Sequence, residues 1–216
     1  MNILYQDDHL VIVEKPQGIL SQADASGADS LPQWLQDRGL PVLPVHRLDR
    51  ATGGVMVYAR TGAAAAALSH MVGQHDVFRK QYWAVVAGRP EAPEGTWEDL
   101  LYHDLRHNKS FVVKRPRKGV RHASLSYHTM QTVEAEGRTY SLLSVQLHTG
   151  RTHQIRVQFA SRGLPLVGDS RYGGEHHRHL ALWSVSLTFP HPITGIPISA
   201  QSHPDEMAFP WNRFAR

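Results

Sequence analysis

The sequence contains no cysteine. That excludes a disulfide scaffold, a thiolate nucleophile and a cysteine-ligated zinc or iron–sulfur centre, and it fits a reducing compartment. Long hydrophobic runs are also missing, so no segment reads as a membrane-spanning helix. The opening Met1-Asn2-Ile3-Leu4-Tyr5-Gln6-Asp7-Asp8 has no basic stretch followed by an apolar one, as a signal peptide would. Together these absences lead us to expect a soluble, cytoplasmic protein. No P-loop, no G-x-G-x-x-G after a strand and no G-x-S-x-G elbow occurs, so neither a nucleotide cofactor nor a serine hydrolase is indicated. His103 and His107, and the group His176, His177 and His179, lack a carboxylate at a spacing that would complete a metal site. The expectation is therefore no cofactor and no metal.

What is present is ordinary for a globular chain: 216 residues, 41% hydrophobic and 19% charged. That length fits a single domain over 1–216. The formal net charge of +4, with 15 histidines besides, hints at a polyanionic partner. The distribution says more than the total. Arg106, Lys109, Lys114, Arg115, Arg117, Lys118 and Arg121 fall within 16 positions with no acid among them. Phe111-Val112-Val113 and Pro116 interrupt the run, so an ordered hairpin or arm over about 103–122 is expected rather than a floppy tail. Such an arm suits a phosphate backbone.

Strand patterns are read at 3–5, 10–13, 55–59, 81–87, 123–133, 140–147, 180–189 and 197–201. Helices are read at 31–38, 63–72 and 153–161, the last as amphipathic with Ile155, Val157 and Phe159 partly buried. Lys15-Pro16-Gln17-Gly18 reads as a break, and 22–30 as a loop. Strands dominate, which predicts an α+β fold with a mixed, largely antiparallel sheet and few helices.

Three places concentrate polar groups that a core does not need. In His46-Arg47-Leu48-Asp49-Arg50-Ala51-Thr52-Gly53-Gly54, an aspartate stands between two arginines, an arrangement that favours the ionised form and suits a nucleophile acting on a phosphate-bearing substrate. Taken alone, such a run is more often a surface ion pair. In Lys80-Gln81-Tyr82 a tyrosine enters an apolar strand; it could be a core aromatic, a ring that stacks on a flipped base, or a proton acceptor. In Gly150-Arg151-Thr152-His153-Gln154-Ile155-Arg156, Gly150 would allow a tight turn and Thr152 would cap the helix. Arg151 could reach Asp49, and Arg156 could face a phosphate.

In order, "ILYQDDHLVIVEKPQGI", "HRLDRATGGVMVYAR", "FRKQYWAVVAG", "LHTGRTHQIRVQFASRGLPLVGDSRYGG" and "LALWSVSLTFPHPITG" resemble the RluA family of RNA pseudouridine synthases over nearly the whole chain. The resemblance implies the pseudouridine synthase fold and the site-specific isomerisation of uridine in tRNA or rRNA. It implies Asp49 as nucleophile, Tyr82 as the active-site tyrosine and Arg151 as the basic partner of Asp49. It implies Arg47 as the residue that extrudes the target nucleotide. His46, Arg50, Thr52, His153, Gln154 and Arg156 join Arg47 as candidate substrate contacts. The family usually has Thr-Ser-Gly where this chain has Thr52-Gly53-Gly54. No S4-type RNA-binding domain precedes the motifs, so RNA is expected to be held by the catalytic domain, as a monomer with no protein partner. A non-catalytic RNA-binding protein on the same fold is the alternative. A two-carboxylate hydrolase ranks below both, since no second acid pairs with Asp49.

Overall fold

A computed structural model describes residues 1–214. Its strands, in chain order, are β1 (Asn2–Gln6), β2 (Leu10–Lys15), β3 (Leu43–Pro44), β4 (Gly53–Ala59), β5 (Arg79–Ala87), β6 (Glu94–Asp104), β7 (Lys109–Val113), β8 (Val120–Ala135), β9 (Arg138–Leu147), β10 (Leu182–Pro190) and β11 (Pro197–Gln201). The helices are α1 (Leu31–Gln36), α2 (Gly62–Val72) and α3 (Gln154–Ala160). The chain divides into two compact units: Met1–Gln81 with Trp183–Pro204, and Tyr82–Leu182 with the residues from Asp205 onward.

In the first unit the strand order is β1-β2-β4-β10, with β11 beside β10 and β3 beside β4. β4 runs parallel to β10 and antiparallel to β2, which makes the sheet mixed. All seven residues of β4 are buried, as its unbroken apolar run requires of a strand covered on both faces. Val55 and Val57 pack with Leu10 and Ile12 of β2 and with Ala64 and Leu68 of α2. Thr61 caps α2 by accepting from the Ala64 amide at 3.2 Å. Ser30 caps α1 in the same way.

The second unit orders its strands β5-β9-β8-β6-β7. β8 and β9 form a long hairpin whose two turn residues, Glu136 and Gly137, both have positive φ, the geometry that matches strand twist. The expected basic arm is ordered. Its first part is the β6–β7 hairpin, antiparallel from Leu100↔Val113 to Asp104↔Lys109, and a turn over 114–119 leads into β8. β6 itself was not anticipated.

α3 departs from expectation in two ways. It is not amphipathic: Gln154 to Phe159 are all buried. Nor does Thr152 cap it. The residue before the helix is His153, at φ 55°, with no side-chain cap. Instead Gln154 Oε1 accepts from the Arg151 amide at 3.0 Å and from Thr149 Oγ1 at 2.7 Å. Gly150 has an ordinary φ and open space around it, so the backbone there does not demand glycine. The polar residues of α3 are paired internally. Arg156 meets Asp169 through two bonds, Nε to Oδ2 at 2.7 Å and Nη2 to Oδ1 at 2.8 Å, and Gln158 donates to Asp99 at 2.8 Å. Removing one partner of a buried ion pair strands the other charge, at a cost of about 3–5 kcal/mol. Asp169→Ala is expected to lower the unfolding free energy by about that much in urea titrations.

Candidate active site

Asp49 lies in a tight turn that leads into β4. The Thr52 amide donates to the Asp49 carbonyl at 2.9 Å. The loop that follows β2 takes the other carbonyls of this turn. Ser21 Oγ donates to Leu48 O at 2.8 Å, and Gln17 Nε2 to Ala51 O at 2.8 Å. The Gly18 amide donates to Arg50 O at 2.8 Å, and Arg50 Nε donates back to Gly18 O at 2.7 Å.

Lys15, the last residue of β2, sits at the centre of this clamp and is fully buried. Its Nζ donates to Ile19 O at 2.7 Å, Pro16 O at 3.0 Å and Arg50 O at 3.2 Å. An ammonium has three N–H donors, so these carbonyls use all of them. Burial lowers the Lys15 pKa to about 8; the nearby Asp49 charge acts to raise it and Arg50 to lower it. At neutral pH the clamp therefore holds a positive charge close to Asp49. Sequence reasoning missed Lys15. The available signal was a lysine closing an otherwise apolar strand just before Pro-x-Gly.

The expected site residues divide between the two units. Asp49, with His46, Arg47, Arg50 and Thr52, belongs to the first. Arg47 and Arg50 are exposed, and Arg50 has the bracing role given above. Tyr82, Arg151, His153, Gln154, Arg156 and the arm belong to the second. Tyr82 is buried in β5, and Arg151 is exposed, with its Nε donating to His122 O at 2.9 Å.

Five expected substrate contacts have side chains that are buried or hydrogen-bonded within their own unit. His46 Nε2 accepts from the Val57 amide at 3.1 Å, and burial, with a smaller contribution from Lys80, drives its pKa well below 6.5, so the ring is neutral. Thr52 is buried. His153 Nδ1 pairs with the Tyr172 hydroxyl at 2.9 Å. Gln154 Nε2 donates to Ser124 O at 3.0 Å. Arg156 is paired with the buried Asp169.

In the arm, Lys114, Arg115, Arg117, Lys118 and Arg121 are exposed, as is Arg106 in the β6–β7 turn. Arg117 lies over the Tyr102 ring at 4.7 Å, and Lys109 over Tyr172 at 5.3 Å and Phe111 at 5.7 Å. Asp104 Oδ1 accepts from the Arg106 and His107 amides, which fixes the turn between β6 and β7.

Residues 9–161 match the family model described as RNA pseudouridylate synthase. The chain belongs to this family. Its relatives include ribosomal large subunit pseudouridine synthase D of Xanthomonas campestris pv. campestris, 34% identical over an alignment covering 94% of this chain and 65% of that protein. The chain thus spans about two thirds of that relative's length. Another is tRNA pseudouridine synthase C of Vibrio cholerae, 32% identical, covering 96% of this chain and 92% of that protein. These relatives agree with membership of the RluA family of RNA pseudouridine synthases. The structure titled human RNA pseudouridylate synthase domain containing 4 superposes with a TM-score of 0.74 at 23% identity, over 94% of this chain and 88% of that one. At that identity the likeness concerns the fold, which is the α+β fold with a mixed sheet that the motifs implied.

Lys80, two residues before Tyr82, is a second buried cation. It is nine-tenths enclosed, lies 5.1 Å from the Phe78 ring centre, and has its pKa lowered to about 8 by burial. Between that value and its ordinary 10.5 the unfolded chain binds more protons, so this residue's contribution to stability improves as pH rises through the window. Below it, the buried charge is a liability. Lys80→Met is expected to stabilise the protein on the order of 2 kcal/mol at pH 7, with the gain shrinking toward pH 10. Denaturant midpoints of the two proteins at both pH values check this.

Proposed function

We propose that this chain isomerises a specific uridine to pseudouridine in a structured RNA, tRNA or rRNA, with Asp49 as the nucleophile. The observation that carries the reading is the clamped turn. Every carbonyl from Leu48 to Ala51 is engaged, so the Asp49 carboxylate is presented from a fixed backbone with the Lys15 charge nearby. Preorganised charge of this kind costs no reorganisation when the reaction occurs.

The reaction breaks the N1–C1′ glycosidic bond, turns the uracil, and forms a C5–C1′ bond. A proton leaves C5 and one is taken up at N1, so the step is redox-neutral. The family resemblance assigns Asp49 to the ribose, Tyr82 to the C5 proton, directly or through water, and Arg151 the role of basic partner of Asp49. The base must leave its stack first, at a cost of a few kcal/mol, and Arg47, exposed beside the turn, offsets part of it by filling the vacated space. The names of the relatives divide between ribosomal and transfer RNA, which supports the substrate class. A monomer acting in the cytoplasm is part of the same reading.

Asp49→Asn is expected to abolish pseudouridine formation while leaving RNA binding intact. Carbodiimide labelling and primer extension on total RNA, from cells carrying either protein, reads this out; a modified uridine that persists with Asp49→Asn sinks the assignment.

The exposed, ordered arm is proposed to track the RNA backbone. Replacing Lys114, Arg115, Arg117 and Lys118 with alanine is expected to weaken RNA binding at least tenfold and to flatten the dependence of log K on log salt by about 0.7–0.9 for each phosphate no longer neutralised. The turnover rate at saturating RNA should stay unchanged. An unaltered salt slope removes the arm from the interface.

A further inference from the structure

Gly53 and Gly54 lack side chains for different reasons. Gly54 has φ +112°, and a Cβ there would come within 2.2 Å of the Ser184 carbonyl oxygen, so backbone alone demands glycine. Gly53 has an ordinary φ. Its backbone would accept any residue, and what stands in the way is one side chain. A Cβ at 53 would lie 2.2, 2.6 and 2.8 Å from the Cζ3, Cε3 and Cη2 atoms of Trp183.

Trp183 is the direct partner of Gly53 in the parallel β4–β10 pairing, so its indole lies on the face where a side chain at 53 would project. The ring is tethered. Its Nε1 donates to Ser202 Oγ at 3.2 Å, and Ser202 Oγ donates to Glu14 Oε2 at 2.7 Å. Glu14 is paired with Val55 across β2 and β4, two residues beyond Gly53. The indole therefore cannot swing away without breaking a chain of hydrogen bonds that ties β10 to β2. On the other side, Gly53 follows Thr52, whose amide closes the Asp49 turn.

We propose that Trp183 is a positioning residue for the Asp49 turn. Its indole occupies the side-chain volume of residue 53, and the Gly53–Trp183 pair sets where β4 begins and so where Asp49 is presented. This inference rests on Asp49 being the nucleophile.

The test is a double-mutant cycle of Gly53→Ala and Trp183→Leu, read by melting temperature and by turnover of a responsive RNA. With the indole in place, Gly53→Ala is expected to lower kcat at least tenfold and to change KM for the RNA less than twofold. In the Trp183→Leu background the same alanine should change kcat by less than threefold, because the space is open. Should Gly53→Ala alone fail to fold, the double variant should recover both a cooperative melt and activity. Equal effects of the alanine in both backgrounds, a tolerated alanine beside Trp183, or a double variant no better than Gly53→Ala overturns the proposal. The failure of the underlying reading is separate. It would show as turnover by Asp49→Asn, whereas coupling in the melting temperatures does not depend on Asp49.

Discussion

The ammonium of Lys15 is the constraint on which the Asp49 turn depends. A fully buried cation is costly unless its donors are satisfied, and here carbonyls from two separate segments satisfy them. Two of the three belong to the loop after β2 and the third to Arg50, so the charge ties the loop to the turn. The Gln17, Gly18, Ser21 and Arg50 bonds then complete a backbone clamp around Asp49. β2 and β4 are adjacent antiparallel strands, which places Lys15 opposite Gly54 and brings both segments to the same end of the sheet. The fold thus fixes the Asp49 turn by bringing together two loops that are more than thirty residues apart in sequence.

Much of this was legible in the chain. Unbroken or alternating apolar runs located β2, β4, β5, β8 and β9, because burial on one or two faces leaves that imprint directly. The resemblance carried by the ordered motifs named Asp49, Tyr82 and Arg151 as catalytic candidates. What was not legible was the pairing of polar groups. Lys15-Pro16-Gln17-Gly18 read as a break in structure, yet its side chains and amides hold the Asp49 turn. Helix 153–161 read as amphipathic, yet its polar Gln154, Arg156 and Gln158 are all buried and bond to Ser124, Asp169 and Asp99. Residue type tells that a polar group needs a partner; only the fold tells where that partner is. β6 was missed for a related reason, since its acids and apolar residues mix without clean alternation.

The same contrast explains the candidate residues that moved inward. His46 and Thr52 stand beside Asp49 in sequence, and His153, Gln154 and Arg156 stand beside Arg151. Adjacency made them candidates, and their side chains brace the segments that carry Asp49 and Arg151 from within. Arg47, Arg50 and Arg151 are the exposed members, and the arm adds a separate exposed basic surface in the second unit.

The direct measurement is tritium release from RNA carrying [5-³H]uridine under single-turnover conditions, with saturating protein, comparing the natural chain and Lys15→Met. Release reports loss of the C5 proton and so the chemistry itself. If the Lys15 clamp presents the nucleophile, the natural chain releases tritium and the folded Lys15→Met protein does so at least tenfold more slowly while binding RNA equally well. Equal release rates from the two proteins, or no release from the natural chain, would contradict it.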